Sequence, residues 1–286
     1  MKKYLGFLAC LTFCQQAASQ PVSVWEVDGF KMPESVVYDR ERQVYYVSNV
    51  NGGVMEQDGN GSIGLIREQD KKTTVDWIKG LSSPKGLDLD GNKLYVADVG
   101  ELVVIDVEKS RITARYEAPE SKVLNGLAIA PNGEVYVSDW IGNKIYKLAD
   151  HELKLWLESS DLESPNGLYV DGGYLYVGAW GKNPGNDFST QSSGKLKRIS
   201  LKDKKIENLN QGKPWMNLDG LHRYENQQWL ATDFMKGELL KFDHQGELLN
   251  TYKLGSTAAD FYLVKEKKLI VVPYLMSNKV VAYQLP

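Results

Sequence analysis

Six polar residues recur at matching places along this 286-residue chain: Glu34, Lys85, Asn125, Asn166, Asp219 and Asp260. Each opens a short run, from Glu34-Ser35-Val36 through Asn125-Gly126-Leu127 to Asp260-Phe261-Tyr262, at steps of 51, 40, 41, 53 and 41 residues. Glu34, Asn125, Asn166 and Asp219 are hard oxygen donors. Carboxylates and amide carbonyls converging on one point suit a divalent cation such as Ca2+, with water filling the remaining positions. Glu34 and Asp219 would balance its two charges. Left bare at about 5 Å, they would repel by roughly 3 kcal/mol at an effective dielectric near ~20. A hydrated opening also accounts for polarity, though not for this choice of donors. On spacing alone, both readings stand.

The elements that must position these residues are short strands. After Leu127 and Ile129, Pro131-Asn132-Gly133 is turn chemistry, with Pro fixing one φ and Gly supplying a positive one. Val135, Tyr136 and Val137 then form a β-branched and aromatic strand. The same second strand recurs as Tyr45-Tyr46-Val47, Leu94-Tyr95-Val96, Leu175-Tyr176-Val177, Trp229-Leu230-Ala231 and Leu269-Ile270-Val271. Third and fourth strands follow in most units, and no segment carries a 3.6-residue apolar period. Four antiparallel strands about every forty residues describe a β-propeller blade, so the chain is all-β with six blades. The last unit stops after its third strand, while a strand containing Trp25 precedes the first unit. That N-terminal strand is expected to complete the sixth blade, closing the ring and leaving no open sheet edge at the junction. In a propeller the first strand of each blade lies nearest the axis, so the six polar residues should ring one tunnel mouth.

The chain ends and the composition bound its setting. Residues 1–19 read as a secretory signal peptide: Lys2 and Lys3, an apolar run, then Ala17-Ala18-Ser19. Cleavage there leaves one domain, 20–286, that is periplasmic or secreted, lacks both Cys10 and Cys14, and contains no disulfide. Removing Lys2 and Lys3 takes the formal charge from −3 to −5. No stretch concentrates Lys or Arg with aromatics, which argues against nucleic acid as a partner. Nothing in the mature chain is apolar for long enough to suggest a membrane span. The expected partner is a small molecule; the oligomeric state is left open.

Pro33-Glu34, Asn125-Gly126-Leu127, Ser164-Pro165-Asn166-Gly167-Leu168 and Leu218-Asp219-Gly220-Leu221 resemble the motifs of the senescence-marker-protein, gluconolactonase and regucalcin family of six-bladed lactonases. The resemblance extends over 30–286 and, more distantly, to calcium-dependent organophosphate hydrolases. It implies a divalent cation, Ca2+ first with Mg2+, Mn2+ or Zn2+ as alternatives, held by Glu34, Asn166 and Asp219. Asn125 either joins them or holds substrate, and Asp219 is the implied base or nucleophile. The chain departs from the family pattern at Ser35-Val36, at Gly178-Ala179-Trp180 and above all at Lys85. That lysine could bind an anionic substrate group, or pair with Glu34 and weaken metal binding; Asp260 could offset it. The leading expectation is a metal-dependent lactonase or esterase in which Lys85, Asn125, Asp260 and Trp180 contact substrate. A non-catalytic propeller of NHL type, binding a protein or sugar-like ligand, is the alternative, because propellers host many functions.

Two insertions make the long steps, at 51–62 and 180–195. A loop after the second strand emerges on the face where the first strand begins, so both should flank the polar ring, with Trp180 and Phe188 supplying apolar contacts. Loops of this kind set specificity, and shortening 183–193 should alter substrate range. His222, His151 and His244 form no dyad. Asp98, Asp139 and Asp233 end their strands as turn caps, and Trp25, Trp77 and Trp156 are expected between blades.

Overall fold

The computed structural model describes residues 19–209, 214 and 217–286. The signal-peptide reading of 1–19, with Cys10 and Cys14, falls almost wholly outside these residues.

Six four-stranded antiparallel sheets stand around one axis. Their innermost strands are Pro33–Asp39, Pro84–Asp90, Leu124–Ile129, Pro165–Asp171, Leu218–Arg223 and Tyr262–Val264, in blades one to six. The second strands are all but wholly buried: Tyr45, Val47, Leu94, Val96, Val135, Val137, Leu175 and Val177 expose nothing. Each is covered on both faces by neighbouring blades, which is why these strands read as continuous apolar runs and not as alternations. Six apolar clusters fill the spaces between consecutive blades. Trp25 lies tilted against Tyr45 across the junction of blades six and one, while Trp77 stacks on Tyr46 and Trp156 meets Tyr136 edge-on. The outer strands, such as Arg111–Glu117, alternate exposed and half-buried residues, as expected where one sheet face meets water.

The expected closure is present. Val22–Asp28 pairs antiparallel with Lys279–Gln284, from Val22 opposite Gln284 to Asp28 opposite Lys279. The first and last residues of the fold therefore share one sheet, which ties the ring shut through backbone hydrogen bonds. Among the described residues, no helix is long and apolar enough to cross a membrane.

One local irregularity governs the site. In blades one to five the pairing of first and second strands slips by one residue, between Pro33 and Val36, Pro84 and Leu87, Leu124 and Leu127, Pro165 and Leu168, and Leu218 and Leu221. Each slip is a β-bulge, which bends a strand and re-aims a side chain. The re-aimed residues are Glu34, Lys85, Asn125, Asn166 and Asp219.

Candidate metal and hydrolytic site

The bulges exist because of what surrounds them. The residue after each polar position is Gly86, Gly126, Gly167 or Gly220 in blades two to five. A Cβ on Gly126 would lie 2.0 Å from the carbonyl oxygen of Asn166, and one on Gly167 would lie 2.0 Å from that of Asp219. Only glycine lets one first strand pass so close to the next. In blades one, three and five a second-strand hydroxyl satisfies a backbone N–H freed by the slip. Ser48 Oγ accepts from Ser35 N at 2.9 Å, Ser138 Oγ from Gly126 N at 2.8 Å, and Thr232 Oγ1 from Gly220 N at 2.8 Å. Ser138 Oγ then donates to Asn166 O at 2.9 Å, and Thr232 Oγ1 to Ala259 O at 2.8 Å, so each hydroxyl ties its blade to the next.

Glu34, Lys85, Asn125, Asn166 and Asp219 thus converge on one cavity at the tunnel mouth. Glu34 is 7% exposed and Asp219 4%. Glu34 Oε2 and Asp219 Oδ1 are buried and have no hydrogen-bond partner. Burial pushes both carboxyls well above the carboxylate range. Mutual repulsion adds to this, from Asp219 and Asp260 on Glu34 and from Asp260 on Asp219, while a hydrogen bond from Asn166 favours the Asp219 anion. Lys85 does not claim Glu34. Its ammonium donates to Ser83 O and Ser83 Oγ, both at 2.9 Å, and burial lowers its pKa to about 8 against the pull of Glu34 and Asp98. Among the described residues no three of His, Cys, Asp and Glu gather as a metal cluster; the oxygen set at the mouth is two carboxylates and two amides.

Asp260 departs from the expected ring. Blade six has Phe261 where blades two to five have glycine, and Val272 where blades one, three and five have a hydroxyl, yet its first two strands also slip by one residue, between the Ala258–Tyr274 bridge and the Tyr262–Val271 pair. The Asp260 carboxylate nevertheless turns into the tunnel. It accepts from Ser35 Oγ at 2.9 Å and from its own neighbour Phe261 N at 2.7 Å, and it lines the cavity beyond the ring. It does not line the ring cavity with Lys85, and its charge acts on Glu34 and Asp219 from beyond the ring.

Above the ring stands an apolar collar. Trp140, Trp180, Phe234, Val50 and Leu275 are buried there, with Val54 and Phe188 from the two insertions packed against them. Both insertions therefore flank the polar mouth, as their position after the second strand requires. Residues 180–195 form a ribbon in which Gly181 pairs with Ser193 and Lys182 with Ser192. Its tip folds back so that Trp180 Nε1 donates to Phe188 O at 3.1 Å. Trp180 is 3% exposed, more a wall of the cavity than a free contact. Trp140 and Phe234 escaped the sequence reading, although a signal was there: the residue after the second strand is apolar in all six repeats, as Val50, Val99, Trp140, Trp180, Phe234 and Leu275.

The weaker candidates fall where expected. Asp98 accepts from Ser82 N and Ser83 N, Asp139 from Lys122 N, Val123 N and Gly142 N, and Asp233 from Lys236 N, all as turn caps. His222 lines the tunnel, with Nε2 2.7 Å from Phe261 O.

A family model described as the LVIVD repeat matches residues 84–113, the body of blade two. No curated protein matches the chain in sequence. Among solved structures, a gluconolactonase from Xanthomonas campestris superposes with a TM-score of 0.69 at 14% identity, covering 95% of this chain and 99% of that one. Virginiamycin B lyase from Staphylococcus aureus gives 0.63 at 12%, covering 92% and 99%. A chain of the nidogen–laminin complex gives 0.63 at 17%, covering 78% and 80%. At these identities the chain shares its propeller fold with lactonase, lyase and binding proteins alike.

Proposed function

We propose that the ring mouth holds a divalent cation and hydrolyses a small ester or lactone, in an exported protein. One observation carries this reading: two buried carboxylate oxygens, Glu34 Oε2 and Asp219 Oδ1, face one cavity without a partner. Such atoms are costly unless something satisfies them. The donor set fits Ca2+: two carboxylates match its charge, and Asn125 and Asn166 add amide oxygens to a hard-oxygen shell that water completes. A bound cation would supply Lewis acidity toward the ester carbonyl.

The remaining work falls to the chain's own side chains. Asp219, oriented by Asn166, is the group to take the proton of an attacking water or to attack directly. Lys85, held by Ser83, is mostly an ammonium at neutral pH and donates toward negative charge in the cavity. Asn125 orients the carbonyl. The collar excludes water, which strengthens these electrostatic contacts.

The test is a panel of lactones and carboxylic esters offered to the purified protein with Ca2+ and with a chelator. Turnover that vanishes with chelator and returns with Ca2+ supports the reading. Turnover indifferent to chelator removes the cation. No turnover, with tight cation binding retained, favours instead a ligand-holding propeller, the role that the likeness to the nidogen–laminin chain also suggests.

A further inference from the structure

The collar differs chemically from the ring beneath it. Its walls are Trp140, Trp180, Phe188, Phe234, Val54 and Leu275, and they offer almost no hydrogen-bonding group. Trp180 Nε1 is already bonded to Phe188 O. Trp140 Nε1, buried and without a partner, is the one polar atom left over. The rings form a connected set: Trp140 to Trp180 at 5.4 Å, Trp180 to Phe234 at 5.5 Å, and Phe188 at 6.1 Å from both Trp140 and Phe234. Only about 40 Å³ of space lies over the ring, room for a few waters at about 10–15 Å³ each but not for a substituted lactone. Substrate must therefore displace part of the collar.

Phe188 is the part suited to move. It sits near the tip of a two-residue-wide ribbon, and its φ of 64° is a conformation that bulky residues rarely adopt. Strain of this kind persists only where packing enforces it and clusters at ligand clamps. Here the enforcing contacts are the rings of Trp140, Trp180 and Phe234.

Building on the hydrolase reading, we propose that the substrate carries a hydrocarbon group beside its ester or lactone carbonyl, and that this group replaces the Phe188 ring in the collar. A polyhydroxylated sugar lactone would bury its hydroxyls against carbon, with Trp140 Nε1 as almost their only partner, and is a poor occupant. An alkyl or aryl group instead exchanges one set of dispersion contacts for another.

The experiment uses the full mature chain with Ca2+ and four six-membered lactones: δ-valerolactone, δ-octanolactone, δ-decanolactone and δ-gluconolactone. The expected kcat/KM rises by about three- to fourfold per buried methylene, the equivalent of one methylene's transfer free energy. δ-Decanolactone should exceed δ-gluconolactone by at least a hundredfold. Phe188→Ala should lower KM for δ-decanolactone several-fold more than for δ-valerolactone, because only the longer chain takes the place of the missing ring. A preference for δ-gluconolactone, or an unchanged or raised KM for δ-decanolactone in Phe188→Ala, overturns the proposal while the hydrolase reading survives. If no lactone turns over, that reading falls and the compounds become stable binding probes. Saturable quenching of tryptophan fluorescence by δ-decanolactone but not by δ-gluconolactone then sustains the collar's role; equal quenching, or none, overturns it.

Discussion

The two ends of the central tunnel invert the usual relation between space and chemistry. Beyond the ring, toward the face carrying Arg40 and Lys265, the tunnel widens to about 400 Å³ and holds Asp88, His222 and Asp260. Each of these polar groups is already bonded. Asp88 accepts from Leu89 N and Ile129 N, Asp260 from Ser35 Oγ and Phe261 N, and His222 bonds Phe261 O. At the ring mouth the space is about 40 Å³, yet Glu34 Oε2 and Asp219 Oδ1 have no partner. Unsatisfied buried oxygens, not volume, distinguish the ring mouth from the wide end. The wide end is a tunnel lined by groups that the fold has already used.

Substitutions at the two ends should separate them most sharply. Asp219→Ala should reduce hydrolysis by on the order of a thousandfold, the scale of losing a principal electrostatic group. Asp88→Asn, at the wide end, should leave turnover within about twofold, because Asp88 serves only backbone N–H groups. Steady-state kinetics on one hydrolysed lactone compares them; equal losses would dissolve the distinction.

The next largest effect concerns the bulges that separate ring from tunnel. Gly126→Ala forces a Cβ to 2.0 Å from Asn166 O, so the strand must shift. We expect about 1–3 kcal/mol of destabilisation, together with weakened cation binding, since Asn125 and Asn166 move with it. Denaturant unfolding and calcium titration on the same variant read both. Unchanged stability would mean that the close approach is not needed to hold the ring.

A smaller contrast is expected in pH. Burial lowers the pKa of His222 from 6.5 to about 4. The folded state therefore favours neutral imidazole, and its contribution is complete above the unfolded value. As pH falls from about 6.5 to about 4, the unfolded chain takes up a proton that the folded one refuses, and stability drops. Relative to His222→Phe, the wild type should lose on the order of 2 kcal/mol between pH 7 and pH 4.5. Chemical denaturation at the two pH values decides; parallel losses in both proteins would remove His222 from the account. Asp88, raised to about 6 by burial, acts in the opposite sense but is common to both proteins and cancels.

Much of this was legible in the sequence, and the exceptions have physical causes. The six repeats set the blades, the N-terminal closure and the position of both insertions, because strand direction decides on which face a loop emerges. Glu34, Lys85, Asn125, Asn166 and Asp219 could be aligned by eye, and all five meet. Asp260 could be aligned as well, but its side chain points elsewhere. Alignment reports position along a strand, while direction also depends on which neighbours each side chain can bond. In blade six Ser35 Oγ and Phe261 N hold the Asp260 carboxylate on the tunnel side. Lys85 was similarly ambiguous: pairing with Glu34 and capture by Ser83 differ only in rotamer, which no spacing encodes. Five of the six residues that follow a second strand, all but Val99, enter the collar, yet an isolated Trp or Phe at a strand end reads as ordinary packing until those strand ends converge.

The central claim is that Glu34 and Asp219 are left open for a cation. Isothermal titration of chelator-treated protein with Ca2+ tests it directly, alongside Glu34→Gln and Asp219→Asn. One calcium per wild-type chain is expected, with a melting temperature that rises with calcium concentration, since a ligand that binds only the folded state stabilises it. Both variants should lose the heat and the rise. No binding in the wild type, with equal melting temperatures in calcium and in chelator, would contradict the account.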